Sequence, residues 1–373
     1  MATQTFEDFF SGVRMTQLAQ AAVVKTGIPR VLPPEWYTPG PTKPFSDQVQ
    51  FDAVTWDRGG ARVVARNSPP FAVNIGQTQR MYATIFNMKE EYDLDLAFLN
   101  ALFSDMPMVR DGSLAELNRR MIAFNMRTET TRTNMVHSLA ANGKIWIGSA
   151  GQVLASASGA VLTMDPGVPT ANKITKDGAG STYNIGDWSS AATDIPGKLR
   201  AAQEAVLRTS GRLVTTILYG TAIPGYLAAN TAMNPFFIRN SNFRDTLVAT
   251  NDIPSGLLGF RWIPARLAFL VDTAGTPTAT FPTNFIAIAP DMDNDWYEFV
   301  EGGTLTPAGM AGATEVVPGA SLESMLGTLR TAYGKYAYGV SKTYPVAGLS
   351  YVQGDCSGPV LKVPSAYMFG TCS

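Results

Sequence analysis

The spacing of apolar positions changes period several times along the chain, and each change marks an element. Two early stretches, Val49 to Trp56 and Arg80 to Tyr92, read as strands. Between them lie Arg58-Gly59-Gly60, Arg62, Arg66 and Pro69-Pro70, which makes a long hairpin with a basic tip. A loop of that length in a compact domain usually has a use. The period then lengthens to three and four. Leu114, Leu117, Met121, Phe124, Thr128, Met135 and Leu139 mark the inner face of a helix predicted over 113–142. Ser113 and Glu116 form a capping box at its start, and Asn142-Gly143 supply its stop. Arg119, Arg120, Arg127 and Arg132 fall on the other face. At about 1.5 Å per residue the helix is roughly 40 Å long. It reads as a strut with one face on a sheet and the other partly solvated or shared.

Residues 144–190 alternate short strand-like runs, "KIWIGSA" and "QVLASASGAVLTM", with Gly, Pro and Asp turns. "WSSAATDIPGKLRAAQEAVLRTSGRLVTTILYG" reads as turn, helix and strand. Thr193 or Asp194 is the cap, Gly211 the stop, and Val214 to Tyr219 the strand. A further helix is predicted near 221–230, with strands near 259–263, 266–271 and 285–289. The last 40 residues read as strands split by prolines, returning to the sheet under the long helix. Near the N-terminus, "GIPRVLPPEWYTPGPTKP" excludes regular structure. With Leu32, Trp36 and Tyr37 it is too apolar for a free linker, so it is an arm lying on another surface or on its own domain. The fold class is α+β, and no internal repeat is evident.

Composition sharpens this picture. The chain has 373 residues, enough for about two domains with a real core. Only 16% of residues are charged, against about 25% in ordinary soluble domains. Low charge at this size points to surface buried against other subunits. The net charge of −1 argues against a protein that grips nucleic acid through a strong positive field. No apolar run is long enough to span a membrane, and the N-terminus lacks the apolar segment of a secretory signal. Cys356 and Cys372 are two thiols rather than a disulfide framework.

Candidate chemistry is sparse. His137 is the single histidine, and it sits in the long helix as a helix-surface or packing residue; with no second histidine, histidine-rich metal sites are nearly excluded. Nucleophile-elbow, zinc-protease and phosphate-loop motifs are absent. "GAGSTYNIG" reads as a surface turn. In "DMDNDWYEF", Asp291, Asp293, Asp295 and Glu298 mimic the start of a calcium loop. Trp296 stands where the loop needs glycine, and Gly302 where it needs glutamate, so the match fails in detail. No catalytic residue, metal or cofactor is predicted.

The order of elements resembles the major capsid proteins of tailed bacteriophages, with the fold named after the phage Hong Kong 97, and in particular the lambda-type family. The residues that carry the resemblance are "NRRMIAFNMRTETTRTNMVHSLAANGKIWI", similar to the family's spine helix and following strand, and "WSSAATDIPGKLRAAQEAVLRTSG", similar to the start of its axial domain. The ending "GPVLKVPSAYMFGTCS" is similar to its closing strands. The resemblance implies an N-terminal arm (1–45), an extended hairpin loop (46–93), a peripheral domain (94–190 and 334–373) around the spine helix, and an axial domain (191–333). It implies a structural subunit that forms pentamers and hexamers of an icosahedral head enclosing double-stranded DNA, assembled in the host bacterial cytoplasm. A separate scaffolding protein, a portal and a decoration protein are the implied partners. Trp56, Arg58, Arg62 and Arg66 would meet a neighbouring subunit, and Asp291, Asp293 and Asp295 would crowd at a capsomer centre. The type member of the fold cross-links through a loop lysine. Here no lysine lies between Lys43 and Lys89, so no such link is expected. An encapsulin-like compartment subunit and a carboxylate-dependent hydrolase are the alternatives.

Overall fold

The long helix begins at Pro107, ahead of the predicted capping box, and ends at Asn142. The structure, a computed structural model, describes residues 15–17, 29–45, 48–55, 77–102, 104–239, 241–266, 268–272, 274–307, 311–312, 329–342 and 348–373. Proline at the first helical turn costs nothing, because its missing N–H has no helical partner there. Ser113 therefore lies inside the helix, where its hydroxyl donates to the Val109 carbonyl at 3.0 Å. Glu116 pairs along the helix with Arg119 and Arg120, so the capping box does not form. The stop is as expected. Gly143 adopts φ 63°, and its N–H donates to the Leu139 carbonyl. The helix has 36 residues, which is about 54 Å of rise.

In chain order the strands and helices begin with β1 (Gln48–Thr55), β2 (Gln77–Thr84), β3 (Phe86–Leu94), α1 (Leu96–Leu102) and the long helix α2 (Pro107–Asn142). Then come β4 (Ile145–Gly148), β5 (Val153–Leu154), β6 (Ala160–Met164), β7 (Lys173–Thr175) and β8 (Tyr183–Asn184). Next are α3 (Ile195–Ser210), β9 (Val214–Tyr219), α4 (Ile223–Ala229), α5 (Asn234–Arg239) and α6 (Ser241–Thr250). The strands β10 (Arg261–Pro264), β11 (Phe269–Val271), β12 (Pro277–Ala279), β13 (Phe285–Pro290), β14 (Tyr297–Glu301), β15 (Gly303–Pro307) and β16 (Ala311–Gly312) follow. The chain closes with β17 (Leu329–Lys342), β18 (Gly348–Leu361) and β19 (Met368–Thr371). Asp194 caps α3 by accepting from the Gly197 N–H, and Gly211 ends that helix.

Among the described residues the strands form four groups. A sheet of order β10-β9-β13-β19-β7-β8 carries the helices α3 to α6 over a core of Trp188, Leu199, Ile217, Tyr219, Trp262 and Ile288. A second sheet has the order β12-β11-β5-β4-β6. The third runs β14-β18-β17-β15, with β3 on β18 and β16 on β17, and α2 lies on it. The fourth is the ribbon β1–β2.

Two expectations about the strands need correction. The strand predicted from Arg80 to Tyr92 is broken at Ile85. Before the break β2 pairs with β1, and after it β3 pairs with β18. Ile85 is 2% exposed, so a core contact turns the chain from ribbon to body. The closing segment does not all return under the long helix. β18 does, running through Pro359, but β19 inserts between β13 and β7 in the first sheet. Of the two readings left open for the proline-rich stretch, the one seen is packing on its own chain. Leu32, Trp36 and Tyr37 join Val136, Leu139, Phe285, Tyr297 and Tyr367 in the largest core cluster. Two tryptophans, Trp36 and Trp296, meet there edge to face at 5.9 Å.

Candidate assembly interface

The hairpin is the feature whose geometry most needs a partner. Its strands pair in antiparallel register from Gln48↔Thr84 to Thr55↔Gln77. On one face stand the pairs Val49↔Ala83, Phe51↔Met81 and Ala53↔Gln79. Val49 and Ala83 are buried at the root with Ile85, Val300, Cys356 and Val360. Trp56, Arg58, Arg62 and Arg66 lie outside the described residues.

Behind the root, a charged seam joins α2 to the sheet. Arg132 grips Asp355 with two hydrogen bonds of 2.5 and 2.6 Å and reaches Glu301 at 3.2 Å. Glu129 takes Lys335 at 2.6 Å and Arg30 at 2.8 Å. The set balances three cations against three carboxylates, as burial demands. Burial alone would lower the Arg132 pKa, but the carboxylates around it raise it above its ordinary value. Burial would raise Glu129, yet Arg132, Lys335 and Arg30 hold it below the usual carboxylate range. Next along the seam, the Gln353 amide donates to Asn125 at 2.7 Å. Arg132 therefore faces the sheet rather than solvent, because an arginine with matched carboxylates is as well placed inside as an apolar residue.

The acidic run lies at the start of the turn between β13 and β14. Asp293 pairs with Arg212 at 2.8 Å, and Asp295 meets the same guanidinium at 3.5 Å. Asp291 accepts from Thr215 at 2.6 Å and from Thr216 at 3.2 Å. The run is thus neutralised in part by its own chain. Glu298 is separated from it and points inward, against Lys362. Among the described residues no group of three His, Cys, Asp or Glu side chains is placed to hold a metal.

His137 is fully buried, and its Nε2 shares a hydrogen bond of 2.8 Å with the Tyr37 hydroxyl. The Leu32 N–H donates to the same oxygen, leaving the hydroxyl hydrogen for Nε2. Burial pushes its pKa down to about 4. It packs the proline-rich strap to the helix, as a packing histidine would. Both cysteines are buried, and burial pushes the Cys372 thiol up to about 12. "GAGSTYNIG" is a surface turn only over its first residues, with Gly178 and Gly180 at positive φ; its second half holds β8 and the buried Ile185.

A groove of about 650 Å³ runs between β3, the flank of α2 and β4, floored by Phe86, Phe124, Met135, Ile147 and Leu162. On the outer side of α2, Met108, Ile122 and Met126 are exposed. The described part of α2 has no long apolar span, and no described helix is long and apolar enough to cross a membrane.

The seam was missed in the sequence because helix periodicity sorts residues by polarity alone. The signal was in β18, where Gln353, Asp355 and Ser357 alternate inside a run of buried strand.

No family model and no curated relative matches this sequence. Among solved structures, the chain is similar to the capsid of the cyanophage P-SCSP1u, with 10% identity over 94% of this chain and 91% of that one, at a TM-score of 0.41. It is similar to the capsid of Myoviridae phage XM1, with 9% identity over 100% and 95% of the two chains, at 0.39. It is similar to a virus-like particle from Pyrococcus furiosus, with 10% identity over 98% and 99%, at 0.37.

Proposed function

We propose that this chain is the shell-forming subunit of a tailed-phage head, structural rather than catalytic. The observation that carries the reading is the ribbon β1–β2, which pairs with itself and is rooted in the body by one small apolar cluster. A lone two-stranded hairpin is marginal in water, and its outer edges are open to pairing. The apolar cluster described for the ribbon lies at its root, with Val49 and Ala83, so in this reading a second surface takes its open edges. A neighbouring copy supplies that surface in a closed ring, where every subunit offers the same patch and the same arm.

In this reading the extended loop, expected over 46–93, is the part before Ile85, since β3 pairs with β18 in the body. The long helix with its sheet is the peripheral part, and the sheet bearing α3 to α6 is the axial part, around which pentamers and hexamers close. Asp291, Asp293 and Asp295 lie on that axial side, and Arg212 lowers their mutual repulsion. Trp56, Arg58, Arg62 and Arg66 are assigned to the neighbour contact from sequence. The net charge of −1 suits a wall that encloses DNA without adhering to it. A separate scaffold, a portal and a decoration protein complete the assembly, which forms in the bacterial cytoplasm and ends in the virion.

The test is to replace residues 58–70 by a two-glycine turn. The shortened chain is expected to fold with its melting transition intact and to lose shell assembly. Shells formed in normal yield by the shortened chain would remove the hairpin from the interface.

A further inference from the structure

The strap that leads into the hairpin is tied to β14 and β15 at alternate residues. The Gly40 N–H donates to the Phe299 carbonyl at 2.8 Å, and the Gly303 N–H donates to the Pro44 carbonyl at 2.6 Å. Between them, the Thr42 N–H and hydroxyl donate to the two oxygens of Glu298 at 2.6 and 2.7 Å. Contacts at 40, 42 and 44 have the period of a strand, and Pro39 forms a bridge with Phe299. The strap follows the edge of β14 with this period, joined to it by that single bridge. Gln48, where β1 starts, follows closely.

Glu298 is the centre of this attachment. Its side chain is 0% exposed, and it forms an ion pair with Lys362 at the end of β18. A carboxylate in such a place is tolerated only when paired and hydrogen-bonded. Here one oxygen takes the Thr42 N–H, and the other takes the Thr42 hydroxyl and the Lys362 ammonium. The strap passes so close that a Cβ at Gly40 would sit 2.2 Å from Glu298 Cγ. An apolar residue would anchor the strap as firmly. What a two-point, charge-assisted attachment adds is direction. The apolar cluster at the hairpin root is non-directional and cannot supply it.

We propose that Glu298 is a positioning residue for the hairpin. With Lys362 as its counter-ion it holds Thr42, and through Thr42 it fixes the angle at which β1 leaves the body. The inference rests on the hairpin being the assembly arm, but it concerns the single chain and is measured there.

The experiment places spin labels at Thr55→Cys and Glu204→Cys in the full chain, since both native thiols are buried, and measures the distance between them. The parent chain and the conservative variant Thr42→Ser are expected to give one narrow distance. Thr42→Val and Glu298→Gln are expected to give a broad or displaced distribution. Amide exchange over 48–55 and 77–84 should rise about tenfold in Thr42→Val, the loss of one hydrogen bond to a charged group. An unchanged narrow distance in Thr42→Val overturns the proposal, even if the melting temperature falls, because that result marks a merely structural contact. If Glu298→Gln fails to fold, the Thr42 pair still decides. Failure of the parent chain to build shells would instead remove the assembly reading, with the distances still deciding the role of Glu298.

Discussion

Arg132 is held by carboxylates in a space that is nearly closed to water, so its partners matter more singly than together. Asp355→Ala leaves the guanidinium buried and unpaired, and is expected to cost about 3–5 kcal/mol in chemical denaturation. The double variant Arg132→Met with Asp355→Leu should cost clearly less, since it buries no lone charge. Equal losses would contradict the seam as described. His137 gives a second residue-level prediction. Its native pKa is depressed to about 4 from an ordinary 6.5. The unfolded chain therefore binds a proton that the native chain does not between those values. Stability from this group is full above pH 6.5 and falls as the pH drops towards 4, by roughly 3 kcal/mol in all. His137→Phe should remove that slope from the stability-against-pH curve, while leaving the separate loss at lower pH from Glu129 and other paired carboxylates.

At the scale of elements, the long helix and the hairpin differ in how they are specified. The helix stop is local. Gly143 sits at φ 63°, and the Phe369 ring lies 2.4 Å from where a side chain would begin. Gly143→Ala is expected to cost at least about 1–3 kcal/mol, read from the urea midpoint. Such local signals were legible in the sequence. So were Asp194 and Gly211 around α3, and the apolar run of β9. The helix start was misread, because Ser113 and Glu116 match a capping pattern while Pro107 already satisfies the first turn. The break at Ile85 was not legible at all. Nothing local divides Arg80 to Tyr92, and only the pairing of β3 with β18, far along the chain, decides it. The same holds for Glu298, which the sequence groups with Asp291, Asp293 and Asp295 in a failed calcium-loop match. Its partners Thr42 and Lys362 are distant in sequence.

On the scale of the whole molecule, β19 joins the two halves. It lies between β13 and β7, while Tyr367 just before it donates to the Ala140 carbonyl of the long helix at 2.5 Å. Removing residues 368–373 is expected to abolish folding of both halves, seen as loss of near-ultraviolet circular dichroism and of soluble yield. A soluble truncated chain with an intact α2 would show that the halves are independent. If this chain builds a shell wall through its hairpin, electron microscopy of the expressed, purified chain with its scaffold co-expressed will show rings and closed shells, with each hairpin lying across the next subunit. A uniform monomer of 40.0 kDa under those conditions would contradict it.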